Sequence, residues 1–354
     1  MKNKIKLAVL TTTFLALPIV AISCGTTTKK EIKSPDKGVI SQPTIAPTLD
    51  DSKEYKIGFW NVLNDGKDKG FKNKAIAKVI KYTKMTLVGL AEIDDTVAVK
   101  TIAEYLSEYT QNPWKAIYTK KKSGASDAGP SVKEDYGFVY RSDLYTPENF
   151  ENTQTPGQIY SNPITNKMEY QRPPYGVKFK TKKSEFTAVI THLDGPGKNN
   201  KRHEKKDHHG NGYQEVWEAQ RTKEVMEWFD SLDGKNKNMI FMGDTNIKTS
   251  YNNEPFIPLI KSGYKPLLKT GKGFETSLGK TKNKYSNTYD KIFTNIKNAH
   301  NGNHYPLYNV FQDKILVESE FRKEIMAARQ TQYKNIISSG ISDHCPVFAD
   351  YKFS

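Results

Sequence analysis

Cysteine is almost absent from this chain: its 354 residues include two, Cys24 and Cys345. Two thiols so far apart cannot form the framework of a disulfide scaffold, so the fold has to rest on an apolar core. Acidic residues are also in short supply, with 39 Asp and Glu against 54 Lys and Arg and a formal charge of +15. Such an excess favours polyanionic partners: nucleic acid, anionic headgroups or glycans. Long hydrophobic runs are missing as well. The one extended stretch, Leu7 to Ile22, is too short and too interrupted for a spanning helix. No internal repeat is present, so the alternating strand-like and helix-like segments belong to one α/β domain of roughly 300 residues.

The first 23 residues read as a leader. Lys2, Lys4 and Lys6 form a charged start, an apolar stretch follows, and Ala21-Ile22-Ser23-Cys24-Gly25 closes it. This resembles a bacterial lipobox, which implies lipidation of Cys24 as the first residue of the mature protein; an ordinary secretory signal is the alternative. Lipidation of Cys24 rules out an intrachain disulfide, and Cys345 then reads as a small buried residue at a strand start. Loss of the leader removes three lysines and no acids, which leaves +12. Residues 24–52 are rich in Thr, Lys, Ser and Pro without apolar periodicity, a tether spanning roughly 30 Å on average. Residues 53–354 then form the folded domain.

Within that domain, alternation predicts a first strand over Tyr55–Trp60 ending at Asn61, and Leu87–Ala91 a buried strand delivering Glu92. Further strands are expected over 136–140, 176–180, 186–191, 239–242, 289–294 and 346–351. Helical spacing marks 71–82, 97–109, 216–229 and 318–333. Gly195 to Tyr213 is a long basic loop that includes Lys198, Lys201 and Arg202 and follows directly after His192. Its position suits contact with a phosphate backbone, while His203, His208 and His209 fit no standard metal spacing. The groups at predicted strand ends are Asn61, Glu92, His192, Asp244, Asn246, Asp290, Asp343 and His344. Each alone has a plain explanation as a turn, cap or surface residue. Together they supply carboxylates and amides for a hard cation and imidazoles for proton transfer at neutral pH, which suits phosphate-ester hydrolysis.

The order of motifs resembles the endonuclease/exonuclease/phosphatase superfamily of the deoxyribonuclease I type. Phe59-Trp60-Asn61, Leu90-Ala91-Glu92-Ile93, Gly243-Asp244-Thr245-Asn246, Tyr289-Asp290-Lys291-Ile292-Phe293 and Ser342-Asp343-His344 match its five motifs in sequence. The segment from Glu134 to Arg141 is similar to the strand carrying the carboxylate partner of the first catalytic His, and Arg172 to a backbone-contacting Arg of the nuclease branch. The resemblance implies a four-layer α+β sandwich, two packed mixed β-sheets flanked by helices. It implies Glu92, Asn61 and Asp343 as metal ligands, and His192, His344, Asp290, Glu134, Asp244 and Asn246 as the catalytic set. Arg172, Lys198, Lys201 and Arg202 would hold substrate phosphates. Mg²⁺ is the expected ion, with Mn²⁺ as a substitute and Ca²⁺ as an assisting or structural ion. Thr245 departs from the usual aromatic of its motif, and Val132 stands where a substrate-facing Tyr is common.

With the leader and basic loop, the chain resembles the mycoplasmal membrane nucleases. The expectation is a monomeric, lipid-anchored nuclease on the outer membrane face, acting on DNA, with RNA as a second candidate. The alternatives are a sphingomyelinase-like phosphodiesterase of the same superfamily and an inactive nucleic-acid-binding lipoprotein. No exposed aromatic hairpin for lipid insertion is evident in the sequence, and the core catalytic groups are all present.

Overall fold

Alternating and wholly apolar runs make the strands of this protein, and amphipathic segments cover them. The computed structural model describes residues 55–353, apart from 67, 127–128, 131, 162–167, 200–203, 205–207, 235, 282 and 330–334. The leader, the tether and Cys24 therefore lie outside the described residues, as do Lys201, Arg202 and His203.

The strands are β1 (Tyr55–Asp65), β2 (Leu87–Ile93), β3 (Trp114–Tyr118), β4 (Asp135–Arg141), β5 (Thr146–Glu148), β6 (Gly157–Ile159), β7 (Tyr175–Lys180), β8 (Glu185–His192), β9 (Met239–Asp244), β10 (Lys265–Pro266), β11 (Asp290–Thr294), β12 (Ala299–His304) and β13 (Val347–Tyr351). The helices are α1 (Gly70–Thr83), α2 (Val97–Thr110), α3 (Tyr213–Gln220), α4 (Thr222–Leu232), α5 (Ile257–Lys261), α6 (Glu318–Arg329) and α7 (Ile336–Gly340). One sheet runs β12-β13-β1-β2-β4-β3, and the other β10-β11-β9-β8-β7-β5 with β6 also paired to β7. The β1–β2 and β8–β9 pairs are parallel among antiparallel neighbours, so both sheets are mixed.

Side-chain alternation sorts each strand between two cores. Ile57 and Phe59 of β1 meet Ala188, Ile190, Met242, Ile292 and Val347 between the sheets. Trp60 and Val62 face the opposite way, among residues of α1, α2 and α6. Val189, Phe241 and Phe293 lie on the outer face of the second sheet with Val216 and Phe229 of α3 and α4. These are the four layers the resemblance implies. The same parity has a chemical consequence. Asn61, His192, Asp244 and Asp290 continue the rows of Phe59, Ile190, Met242 and Ile292, so all four belong to the inter-sheet face at one end of the sandwich.

The sheets approach closely there. A Cβ on Gly89 of β2 would lie 2.4 Å from Ile190 Cγ2 on the facing sheet, so only glycine fits.

Several expectations need correction. β1 does not stop at Asn61; it runs on to Asp65 through a register shift against β2 between those two residues. The single helix expected over 216–229 is two, α3 and α4, parted at Arg221. The Glu218 carbonyl, which would accept from Thr222 in a continuous helix, instead takes the Tyr170 hydroxyl at 2.7 Å and the Arg221 N–H at 3.2 Å. Strands β3, β5, β6, β10 and β12 had not been expected. β12 reads Ala-His-Asn-Gly-Asn-His and exists because its backbone completes the edge of β13, not because its side chains alternate.

Candidate active site

Two imidazoles converge on one carboxylate. His344 holds Asp290 Oδ2 through Nδ1 at 2.8 Å and turns Nε2 to Asp244 Oδ2 at 3.3 Å. His192 holds Glu134 Oε2 through Nδ1 at 2.9 Å and turns Nε2 to the same Asp244 oxygen at 3.7 Å and to Glu92 Oε1 at 3.8 Å. An ionised carboxylate only accepts, so each Nδ1 carries a proton and each Nε2 faces the reacting space. Asn61 bridges the carboxylates, its Nδ2 donating to Glu92 Oε1 at 2.8 Å and Asp244 Oδ2 at 3.0 Å. Asn246 donates its backbone N–H to Asp244 Oδ1 at 3.0 Å.

Proton affinities follow from these contacts. Burial alone would favour a neutral His344, but Asp290 and Asp244 reverse that and raise its pKa well above the ordinary 6.5. His192 is raised too. Burial and the neighbouring Arg172 guanidinium oppose its charge, and Glu134 and then Asp244 outweigh them. Asp244 is fully buried, which would protonate it, yet the two imidazoles hold its pKa below the usual carboxylate value.

Backbone irregularity aims the first ligand. Strict alternation would send Glu92, one residue after Ala91, toward the helices. Instead Glu92 takes a left-handed φ of 57°, and the β2–β4 register shifts between Leu90 and Ile93. Bulges that redirect a side chain beside a site are a common use of this geometry. Asn246 is likewise left-handed, at φ 53°. The chain ends are tied together behind the site. Ser342 Oγ donates to the Asn61 carbonyl at 2.7 Å and accepts the His344 N–H at 2.9 Å, while Trp60 Nε1 donates to the His344 carbonyl at 2.8 Å.

Not every expected residue joins this cluster. Arg172 is not an open phosphate clamp. It is buried, donates Nε to the His192 carbonyl at 3.0 Å and a terminal N–H to the Leu193 carbonyl at 2.5 Å, and sits 3.9 Å from Glu134. Closure of β7 onto β8 brings it behind His192, where it anchors the strand end. Asp343 stands apart from the two groups of converging ligand atoms among the described residues, Glu92–His192–Asp244 and Asp244–Asp290–His344. Its charge still helps to raise His344 and Lys72. Lys198 is exposed on the loop. That loop is fastened by Glu215, whose Oε1 accepts from Gly197 and Gly212 at 2.6 and 2.5 Å, and by Lys248, which donates to the Gly210 carbonyl.

Lys72 stands beside the site without a signal in the sequence. It lies in the first turn of an amphipathic helix, where a lysine usually faces solvent, yet it is buried and donates to the Leu63 carbonyl at 2.5 Å. Burial lowers its pKa to about 8 against the pull of Asp65, and it also feels Glu92 and Asp343. Nothing local in the sequence signals this; it follows from how α1 packs on the extension of β1.

The sequence profile described as endonuclease/exonuclease/phosphatase family 2 matches residues 172–350, which hold His192, Asp244, Asp290 and His344. The chain belongs to this family. Solved structures of similar fold include an endonuclease/exonuclease/phosphatase family protein from Bacteroides thetaiotaomicron, 17% identical, covering 84% of this chain and 95% of that one with a TM-score of 0.52. Another is a family protein from Leptotrichia buccalis, 14% identical, covering 84% and 100% with a TM-score of 0.51. A mannosyl-6-phosphatase from Bacteroides thetaiotaomicron is 18% identical over 83% and 98%, with a TM-score of 0.50. In sequence, an uncharacterized protein of Mycoplasma pneumoniae is 34% identical over 196 residues, 51% of this chain and 37% of that protein. Members of the family are hydrolases of phosphoester bonds, often with a divalent metal, and the arrangement of His192, His344, Asp244 and Glu92 suits that chemistry.

The donor set fits a hard divalent cation. Glu92 and Asp244 offer carboxylate oxygens and Asn61 an amide beside them, and the ligand atoms of each converging group lie within 4.8 Å of one another. Asp343 Oδ1 is buried without a hydrogen-bond partner, an orphaned oxygen of the kind a cation or its waters would satisfy.

Proposed function

We propose that this protein is a membrane-anchored nuclease that hydrolyses phosphodiester bonds of DNA. The observation that carries the reading is the pair of carboxylate-backed imidazoles facing a single buried carboxylate: an acid and a base on either side of one reacting group. The large positive charge favours a polyanionic diester over a small phosphorylated molecule.

In this reading Glu92, Asp244 and Asn61 would hold Mg²⁺, and the orphaned Asp343 oxygen would meet its waters. When bound, the ion would offset the negative charge that keeps nucleophiles away from a phosphodiester. The remaining work falls to the chain's own groups. His344, backed by Asp290 and facing Asp244, has the stronger carboxylate surroundings and is the more basic ring. In its neutral form, protonated only at Nδ1, it takes the proton of the attacking water at Nε2. His192 has its proton affinity held down by Arg172, so it is the better donor and protonates the leaving oxygen from Nε2. Asp290 and Glu134 fix the two tautomers, and Asn61 and Asn246 hold Asp244 so that both rings converge on one phosphate.

Circular plasmid DNA incubated with the full chain and Mg²⁺ should be nicked and linearised, and EDTA or His344→Ala should prevent this. Circles left intact while sphingomyelin is cleaved would refute the nuclease reading. Anchoring rests on the lipobox-like run at Cys24. Wild-type chain should take up labelled palmitate and partition with membranes, and Cys24→Ser should do neither. Equal recovery of both in the soluble fraction would refute the anchor.

A further inference from the structure

Two lysines hold the extension of β1 past Asn61. Val62, Leu63 and Asn64 stand there against Glu92 alone, because Asn61 pairs with Ala91 and Asp65 with Ile93. To make this turn Leu63 and Asn64 both take left-handed backbone, at φ 49° and 51°. Asn tolerates that conformation, but a leucine is strained in it and stays only where its surroundings hold it. Each of the two carbonyls accepts from a lysine: Leu63 from Lys72 Nζ at 2.5 Å, and Asn64 from Lys69 Nζ. The Asp94 N–H closes the far end on the Asp65 carbonyl at 2.7 Å. Lys72 is the costly member of this set. It is 2% exposed, and a buried ammonium is unfavourable unless it is paired. Asp65, Glu92 and Asp343 act on its charge, yet it makes no ion pair with a described residue, and its one side-chain hydrogen bond is to Leu63.

Leu63 passes the constraint on. Its N–H donates to Asn61 Oδ1 at 3.0 Å, and the same amide donates through Nδ2 to Glu92 Oε1 at 2.8 Å and Asp244 Oδ2 at 3.0 Å. A single residue therefore lies between the buried ammonium and the amide that bridges the two carboxylates. We propose that Lys72 is a positioning residue for the cation site: by holding Leu63 in its left-handed conformation it fixes the Asn61 amide, and through that amide the spacing of Glu92 and Asp244. The assignment rests on the metal-binding reading of those carboxylates for its purpose, but the clamp itself is observable without metal.

The test measures Mn²⁺ binding to the full chain from the EPR signal of the free ion, counted for the site that Glu92→Gln removes. Loss of a positive charge near a cation site tightens metal binding by itself, so a lysine that only repels the ion and a lysine that positions its ligands predict opposite signs. Lys72→Met should weaken binding about 10–100-fold, the usual effect of losing a group that orients a metal ligand. Leu63→Val leaves every charge in place and puts a β-branched residue at positive φ, so it should also weaken binding, while Leu63→Asn should not. This pair decides the matter even where Lys72→Met fails to fold. Lys78→Met, which loses one charge further along α1, should match wild type. In EDTA, backbone hydrogen exchange over residues 61–66 should be faster in Lys72→Met and Leu63→Val than in wild type or Leu63→Asn. Unchanged or tighter Mn²⁺ binding by Lys72→Met would overturn the proposal, as would equal binding and equal exchange by the two Leu63 variants. A wild-type chain that binds no Mn²⁺ while its variants show the expected exchange pattern would refute the metal-binding reading and leave the clamp assigned.

Discussion

Asp290→Asn tests the chemistry at its most sensitive point. The substitution keeps shape and volume and removes one charge 2.8 Å from His344 Nδ1. A charge-assisted hydrogen bond between buried groups contributes about 1.5–3 kcal/mol, and one unit of pKa corresponds to about 1.4 kcal/mol. Without Asp290, the first of the charges that raise His344 is gone and burial then pulls the ring toward neutrality. Two effects should appear together. The turnover rate should fall by about 10²–10⁴-fold, the usual contribution of a positioned acid–base group, and the alkaline limb of the pH–rate profile, set by the more basic ring, should move to lower pH. Stability gives an independent readout. His344 has a higher pKa folded than unfolded, so its stabilising contribution is complete below the unfolded value near 6.5 and vanishes as pH rises through the folded value. Urea unfolding of wild type and variant across that range should therefore show the gap largest at low pH and shrinking with alkalinity. A gap that is flat with pH, with an unmoved alkaline limb, would refute the claim that Asp290 raises the proton affinity of His344.

Glu134→Gln should act on the other ring: with its main supporting charge lost, His192 gives up its proton at lower pH, and the acid limb of the pH–rate profile, set by the less basic ring, should shift down while the alkaline limb stays. Gly89→Ala should destabilise the fold by about 1–3 kcal/mol through overpacking against Ile190, read as a lower Tm, with activity falling as the sheets are pushed apart. Glu218 is buried, which lifts its carboxyl from 4.5 to about 7, so the folded state binds more protons than the unfolded chain between those values and stability falls as pH rises through that window. Relative to Glu218→Gln, wild type should lose about 3 kcal/mol between pH 4.5 and 7, and parallel pH–stability curves would show that Glu218 is ionised without cost.

Sequence alone carried most of the chemistry. Catalytic groups at strand ends follow apolar runs that had to be strands, and period-two alternation decides which face a side chain takes. Asn61, His192, Asp244 and Asp290 were therefore legible both as strand-end groups and as a set, because each inherits its direction from the apolar row before it. The pairing of Glu134 with His192 and of Asp290 with His344 came from the family resemblance, and the distances of 2.9 and 2.8 Å agree with it.

What the sequence could not decide was anything set by the meeting of distant segments. Glu92 breaks alternation because β1 and β2 bulge together at the site. Arg172 reads as a free cation, yet it is buried beside Glu134 and its donors go to the His192 and Leu193 carbonyls at the end of β8. Lys72 looks like a solvated helix residue until α1 packs over the end of β1. Local periodicity reports the direction of one side chain relative to its own strand or helix. The company it keeps depends on which surfaces dock, and that was settled only when the two sheets packed face to face.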